Sequence, residues 1–122
     1  MQNNNKIHHS FGFAFSGIYY AFRDNRNLKI HLFLAILIIA ASFLLGLSNI
    51  EKIIALVMIV LVFSAEMVNT ALEEMTDLIT NEHREEAKRA KDVAAGMVLV
   101  TAIGAIIVGI VIFAPYIIEL LE

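Results

Sequence analysis

The sequence predicts an all-α membrane protein: an N-terminal amphipathic surface helix followed by three transmembrane helices, in one domain spanning 1–122. Three observations carry that expectation. Apolar residues make up 59% of the chain and mean hydropathy is +0.76, above the usual level for a water-soluble domain. The stretches Leu32–Ile50, Ile53–Leu72 and Val93–Ile118 hold one charged residue among them, Glu66. Each is close to or longer than the roughly 20 residues that cross a ~30 Å hydrocarbon layer. Finally, every Lys and Arg except Lys52 lies either before the first stretch or between the second and third. A water-soluble bundle is the alternative, but a chain of 122 residues has too little polar surface to wrap three fully apolar helices.

The first element, expected over 5–29, contains SFGFAFSGIYYAFRD (10–24), which is aromatic-rich and too polar to span. Phe11, Phe15, Ile18 and Phe22 recur at helical spacing and form one apolar face. Such a helix lies in the membrane interface, with Arg23, Arg26 and Lys29 near lipid phosphates. A plain anchor without chemistry reads the same way. The start, MQNNNKIHHSFGFAF, lacks a basic segment, apolar core and small-residue cleavage site, so no signal peptide is expected.

The first span is expected over 30–50. The second, with a cytoplasmic extension, is expected over 53–78, a cytoplasmic loop over 79–91, and the third span over 92–118. The bias of Lys and Arg places the N-terminal segment and the loop in the cytoplasm, and the Ser48–Lys52 turn outside. In the third span, Ala105 and Gly109 form a small-xxx-small pair that favours close helix contact, and a homo-oligomer is expected to shelter the polar residues of the second span.

Those polar residues are the main chemical signal. At about 100° per residue, Glu66, Asn69, Glu73 and Asp77 fall within an arc of roughly 80° on one helix face. The stripe runs toward the cytoplasmic end. An ionisable group as deep as Glu66 costs several kcal/mol unless paired or hydrated, so it marks a functional site. Interhelical hydrogen bonding alone would suit Asn69, but packing needs no carboxylates. Glu74 points away and reads as a solvated carboxylate.

Glu73 and Asp77 are hard oxygen donors near water, of the kind that hold Mg²⁺ together with phosphate oxygens. The following segment, NEHREEAKRAKD, brings Arg84, Lys88, Arg89 and Lys91 for a polyphosphate. This combination suits phosphoryl transfer to a hydroxyl oriented by a base. With the base inside the membrane, the hydroxyl belongs to a lipid. The chain lacks cysteine, which excludes disulfides and thiolate chemistry. No glycine lies between Gly46 and Gly96, so no P-loop is present there. His8, His9, His31 and His83 have no metal-ligand spacing and are expected at surface or interface positions. His83 sits in the cationic loop, in reach of a phosphate. No nucleic-acid partner is expected.

AEMVNTALEEMTD followed by AKRAKDVAAG resembles the signature of the small prokaryotic diacylglycerol kinase and undecaprenol kinase family. There the motif reads roughly E-x-x-N-[ST]-A-[IL]-E, then a short loop, then A-K-D. The likeness covers nearly the whole chain. It implies a homotrimeric kinase of the bacterial inner membrane that uses MgATP, with active sites shared between subunits. It implies Glu66 as catalytic base at the lipid hydroxyl, Asn69 in support, and Glu73 as ligand of the metal that bridges the phosphates. Glu82, His83, Lys91 and Asp92 would contact the nucleotide, and Lys6 would lie near lipid and nucleotide. The family pattern E-[RK]-N-[FM]-[RK]-[IV]-H supplies a second metal-binding glutamate, and this chain has Asn25 in its place. Asn25 or Asp24 is then the remaining candidate for that ligand. The short N-terminus, the absence of tryptophan and AKDVAAG resemble the undecaprenol kinase branch, with diacylglycerol as the alternative lipid alcohol. From the residues alone, a proton-coupled transporter using Glu66 and a non-catalytic scaffold are the competing readings.

Overall fold

The computed structural model describes residues 3–80, 82 and 84–122, except the side chains of residues 3–6 and 8. These residues form four helices: α1 (Asn3–Asp24), α2 (Arg26–Leu44), α3 (Asn49–Ile79) and α4 (Glu85–Leu121). No strand occurs among the described residues. Three of the helices, α2, α3 and α4, are long and apolar enough to cross a membrane. At about 1.5 Å per residue α3 is roughly 46 Å long, well beyond the ~30 Å hydrocarbon layer.

The break between α1 and α2 falls on one residue. Asn25 takes extended angles (φ −100°, ψ 115°) and its side chain accepts from the backbone N–H groups of Asn27 and Leu28. Asparagine is among the strongest N-caps, because its short side chain satisfies donors that the first helical turn leaves open. The expected surface helix ran on to residue 29. The cap instead starts α2 at Arg26.

The turn from α2 to α3 is built from two successive caps. Gly46 has φ +69°, a left-handed conformation that glycine adopts without strain. Its N–H donates to Phe43 O (3.2 Å) and that of Leu47 to Ser42 O (3.0 Å), the bond pair of a Schellman motif. Leu47 is buried. Ser48 then caps α3 in a capping box with Glu51. One glycine and the Ser48–Glu51 capping box thus turn the chain back on itself.

α3 and α4 pack most extensively, and α2 lies against α3. At the end near the α2–α3 turn, Tyr116 Oη donates to Glu51 Oε2 (2.6 Å) and ties the last turns of α4 to the first turn of α3. A Cβ on Gly104 would meet the Met58 methyl at 3.7 Å, so α4 passes close to α3 there. Hydroxyls within the apolar helices are satisfied by their own helix: Ser42 donates to Ile39 O, Ser64 to Val60 O and Thr101 to Val98 O.

The buried core is thin. Leu28, Ala35, Leu47, Val62, Ala65, Ala94 and Ile112 are its apolar members, while large side chains on every helix stay exposed. A water-soluble monomer does not leave such an extent of apolar surface uncovered; lipid or other helices must cover it. Along α1, all residues from Phe11 to Tyr20 are exposed, and Phe22 at its end meets the Phe63 ring of α3 at a tilt of 46° (centroids 5.5 Å apart).

Candidate active site

Glu66 is 2% exposed and, with Leu28, is one of the two largest fully buried side chains. Its helix places it opposite the start of α2, which supplies polar partners. Asn25 Nδ2 lies 3.4 Å from Glu66 Oε2 and donates to Thr70 Oγ1 at 2.7 Å. His31 Nε2 lies 3.4 Å from Glu66 Oε1. Thr70, one turn on from Glu66, donates its hydroxyl proton to the Glu66 carbonyl (2.9 Å). The carboxylate therefore sits among donors although apolar residues surround its helix.

Beside Thr70 in the same turn, Asn69 is 8% exposed and its Nδ2 donates to Glu73 Oε1 (3.0 Å). That bond fixes the amide orientation, since a carboxylate only accepts. Asn69 Oδ1 is left buried without a hydrogen-bond partner among the described residues. Buried polar atoms are nearly always paired, so this acceptor is suited to a donor that arrives with a ligand. Glu73 is exposed, and no hydrogen bond from the described residues reaches its other oxygen.

Where α3 ends and α4 begins, a polar cavity of about 610 Å³ opens, with Asp77, Thr80, Glu82, Lys88, Lys91 and Asp92 in its wall. Lys91 pairs with Asp77 across it. Arg84 pairs with Glu82 (3.4 Å) and Arg89 with Glu85 (3.1 Å), both at the surface, where ion pairs contribute little. A second cavity, of about 290 Å³, is apolar and lies between α2, α3 and α4, lined by Leu34, Ala35, Met58, Val62 and Ala105. His31 is its polar lining residue and links it to Glu66.

The sequence-derived candidates are thus distributed as follows. Glu66 and Asn69 are buried on one face of α3, with Glu73 bonded to Asn69. Glu82, Lys91 and Asp92 line the polar cavity. Asp24 is engaged by Arg23, which donates at 2.6 Å and 2.8 Å to its two oxygens. These hydrogen bonds, with the guanidinium charge, hold the Asp24 carboxyl below its ordinary range. Asn25 joins Glu66 rather than Glu73. His83 and the Lys6 side chain lie outside the described residues. His31 and Thr70 were not among the candidates. Thr70 follows Glu66 by one helical turn, a signal the sequence carried. The position of His31 depends on how α2 meets α3.

Known proteins bear on this arrangement. A family model for prokaryotic diacylglycerol kinase matches residues 12–113. Undecaprenol kinase of Bacillus subtilis is 42% identical over 111 residues, covering 91% of this chain and 90% of that protein. Diacylglycerol kinase of Synechocystis sp. is 42% identical over 113 residues, covering 92% of this chain and 65% of that protein. Diacylglycerol kinase of Haemophilus influenzae is 34% identical over 99 residues, with 81% of each chain covered. A buried carboxylate on three apolar helices, a polar cavity of mixed charge further along α3, and a family match of this extent make the chain a membrane lipid kinase belonging to the prokaryotic diacylglycerol kinase family.

Proposed function

We propose that the chain transfers the γ-phosphoryl group of ATP to the hydroxyl of a membrane lipid alcohol, undecaprenol first among them, with Glu66 as the base. The observation that carries this reading is the buried Glu66 carboxylate, set between an apolar cavity reached through His31 and a stripe that leads to the polar cavity. The B. subtilis relative, covered almost end to end, favours undecaprenol. The relatives named diacylglycerol kinase make diacylglycerol the second lipid to test.

The lipid chain lies along the apolar helices and brings its hydroxyl to Glu66. Asn69 Oδ1, buried and without a partner among the described residues, is left to accept from a donor other than the lipid hydroxyl, whose single proton goes to Glu66. Glu66 takes the hydroxyl proton as the lipid oxygen attacks the γ-phosphorus. One O–P bond forms, the bond from the γ-phosphorus to the β-bridging oxygen breaks, and ADP leaves with that electron pair. Lys91, Lys88 and Arg84 stand at the polar cavity to neutralise phosphate oxygens, with Glu82, His83 and Asp92 as further nucleotide contacts and Lys6 near lipid and nucleotide.

Mg²⁺ fits this set through Glu73. Among the described residues no group of three acidic or histidine side chains could hold a metal alone. One exposed carboxylate plus phosphate oxygens is nevertheless a common Mg²⁺ environment. When bound, the ion neutralises charge on the transferred phosphoryl group.

The active assembly is a homotrimer in the bacterial inner membrane, with the N-terminus, α1 and the 80–84 connection in the cytoplasm. The extensive exposed apolar surface of one chain and the placement of Lys and Arg favour this arrangement. α1 lies as an amphipathic helix on the cytoplasmic surface. Radiolabelled ATP supplied to the purified protein with Mg²⁺ and either lipid in mixed micelles tests the reading. Labelled lipid phosphate is expected with undecaprenol. Absence of label in every lipid alcohol, with no nucleotide bound and the oligomer retained, would point to a scaffold instead.

A further inference from the structure

We propose that Asn25 is a positioning residue for the reaction: its amide holds Glu66 from the start of α2, and its side-chain oxygen serves the helix cap rather than a metal ion. The proposal rests on reading Glu66 as the base.

The hydrogen-bond network assigns the two ends of the Asn25 amide without ambiguity. Oδ1 accepts from the backbone N–H of Asn27 (2.8 Å) and of Leu28 (3.4 Å), a role only the oxygen fills. Nδ2 therefore faces α3, at 2.7 Å from Thr70 Oγ1 and 3.4 Å from Glu66 Oε2. Thr70 has committed its own proton to the Glu66 carbonyl, so toward Asn25 it accepts. Each contact pairs one donor with one acceptor.

The second oxygen of Glu66 faces His31 Nε2 at 3.4 Å. Two residues of α2, at its cap and in its second turn, thus bracket the two oxygens of one buried carboxylate. A carboxylate holding position 25 would have no proton to donate and would set a like charge beside Glu66. An asparagine there supplies the donor and the cap together.

The same geometry explains why Asn25 has little to offer Mg²⁺. Its oxygen points into the α2 turn, and Glu73 is bonded to Asn69 instead. Asp24, the adjacent carboxylate, is held at both oxygens by Arg23. Glu73, with one oxygen not engaged by the described residues, remains available to a metal.

Exchanging donor and acceptor tests the link. Asn25→Asp keeps a capping oxygen but loses the donor, and its thermal midpoint in detergent should fall. Adding Glu66→Gln returns an amide to the pair with polarity reversed, and should recover most of that fall although the double variant is inactive. Asn25→Ser keeps a cap without new charge and guards against misfolding of the aspartate variant. Its kcat should drop about tenfold, the effect of one ordinary hydrogen bond, with the KM for lipid and the Mg²⁺ requirement unchanged. Additive midpoints in the exchange, or a lower Mg²⁺ requirement in Asn25→Asp, would overturn the proposal. The midpoints report on the Asn25–Glu66 link even if the unmodified chain phosphorylates no lipid, a result that would count against the kinase reading alone.

Discussion

His31 Nε2 stands 3.4 Å from Glu66 Oε1, so the most buried carboxylate of α3 meets a ring that also lines the apolar cavity. One side chain thereby touches both the base and the space nearest it that suits a lipid chain. His31→Leu puts a hydrocarbon in place of the ring nitrogen that lies 3.4 Å from a buried carboxylate oxygen, and loss of one such polar neighbour costs about 1–3 kcal/mol. Lipid phosphorylation should fall about five- to a hundredfold, and His31→Gln, which offers an N–H donor at that position, should recover part of it. Steady-state kinetics of the two variants beside the unmodified chain make the comparison; equal rates for leucine and glutamine would remove the donor role.

Lys91 separates nucleotide from lipid. It reaches across the polar cavity to Asp77 from the first turns of α4, far along α3 from Glu66. Lys91→Met should raise the KM for ATP by about tenfold, consistent with losing one charge-assisted contact of roughly 1.5–3 kcal/mol. The KM for lipid should stay within experimental error. A change in lipid KM with ATP KM unaltered would assign Lys91 elsewhere.

Asp24 provides a control on the metal. Arg23 donates to both of its oxygens and holds the carboxyl below its ordinary range. For a depressed carboxylate, the associated stabilisation is present above the unfolded-state pKa and is lost as pH falls through the folded value. Both groups are exposed, so the effect on stability is minor. Asp24→Asn should leave the Mg²⁺ concentration for half-maximal rate unchanged, as a magnesium titration would read directly.

The α2–α3 turn predicts stability effects without catalytic ones. Tyr116→Phe deletes the bond to Glu51 and should cost about 1 kcal/mol. Gly46→Ala forces a Cβ into φ +69°, at a cost of about 1–2 kcal/mol, although nothing lies within 4 Å of the new atom. Unfolding in mixed detergent measures both, and kcat should remain at the unmodified level.

The fold was legible where it depends on one helix at a time. Uncharged runs mark α2, α3 and α4, and a rotation of about 100° per residue places Glu66, Asn69 and Glu73 on one face before any packing is known. The break at Asn25 was written in the residue type, an asparagine ahead of a helical segment, yet the apolar pattern of 10–24 masked it. What the sequence withheld are the contacts between helices. Asn25 and His31 meet Glu66, and Tyr116 meets Glu51, across long separations in sequence that no periodicity encodes. The sequence leaves Asn25, uncharged, and Asp24, rotated by about 100°, both open as ligands; in the structure the α2 cap engages the first and Arg23 the second.

The central claim is that Glu66 removes the proton from a lipid hydroxyl. Transfer of radiolabelled phosphate from ATP to undecaprenol by Glu66→Gln, beside the unmodified chain at equal folded concentration, tests it most directly. The account predicts that the variant still binds ATP but forms product at least about 10²-fold more slowly, the lower end for loss of a positioned base. Product formation by Glu66→Gln at the unmodified rate would contradict it.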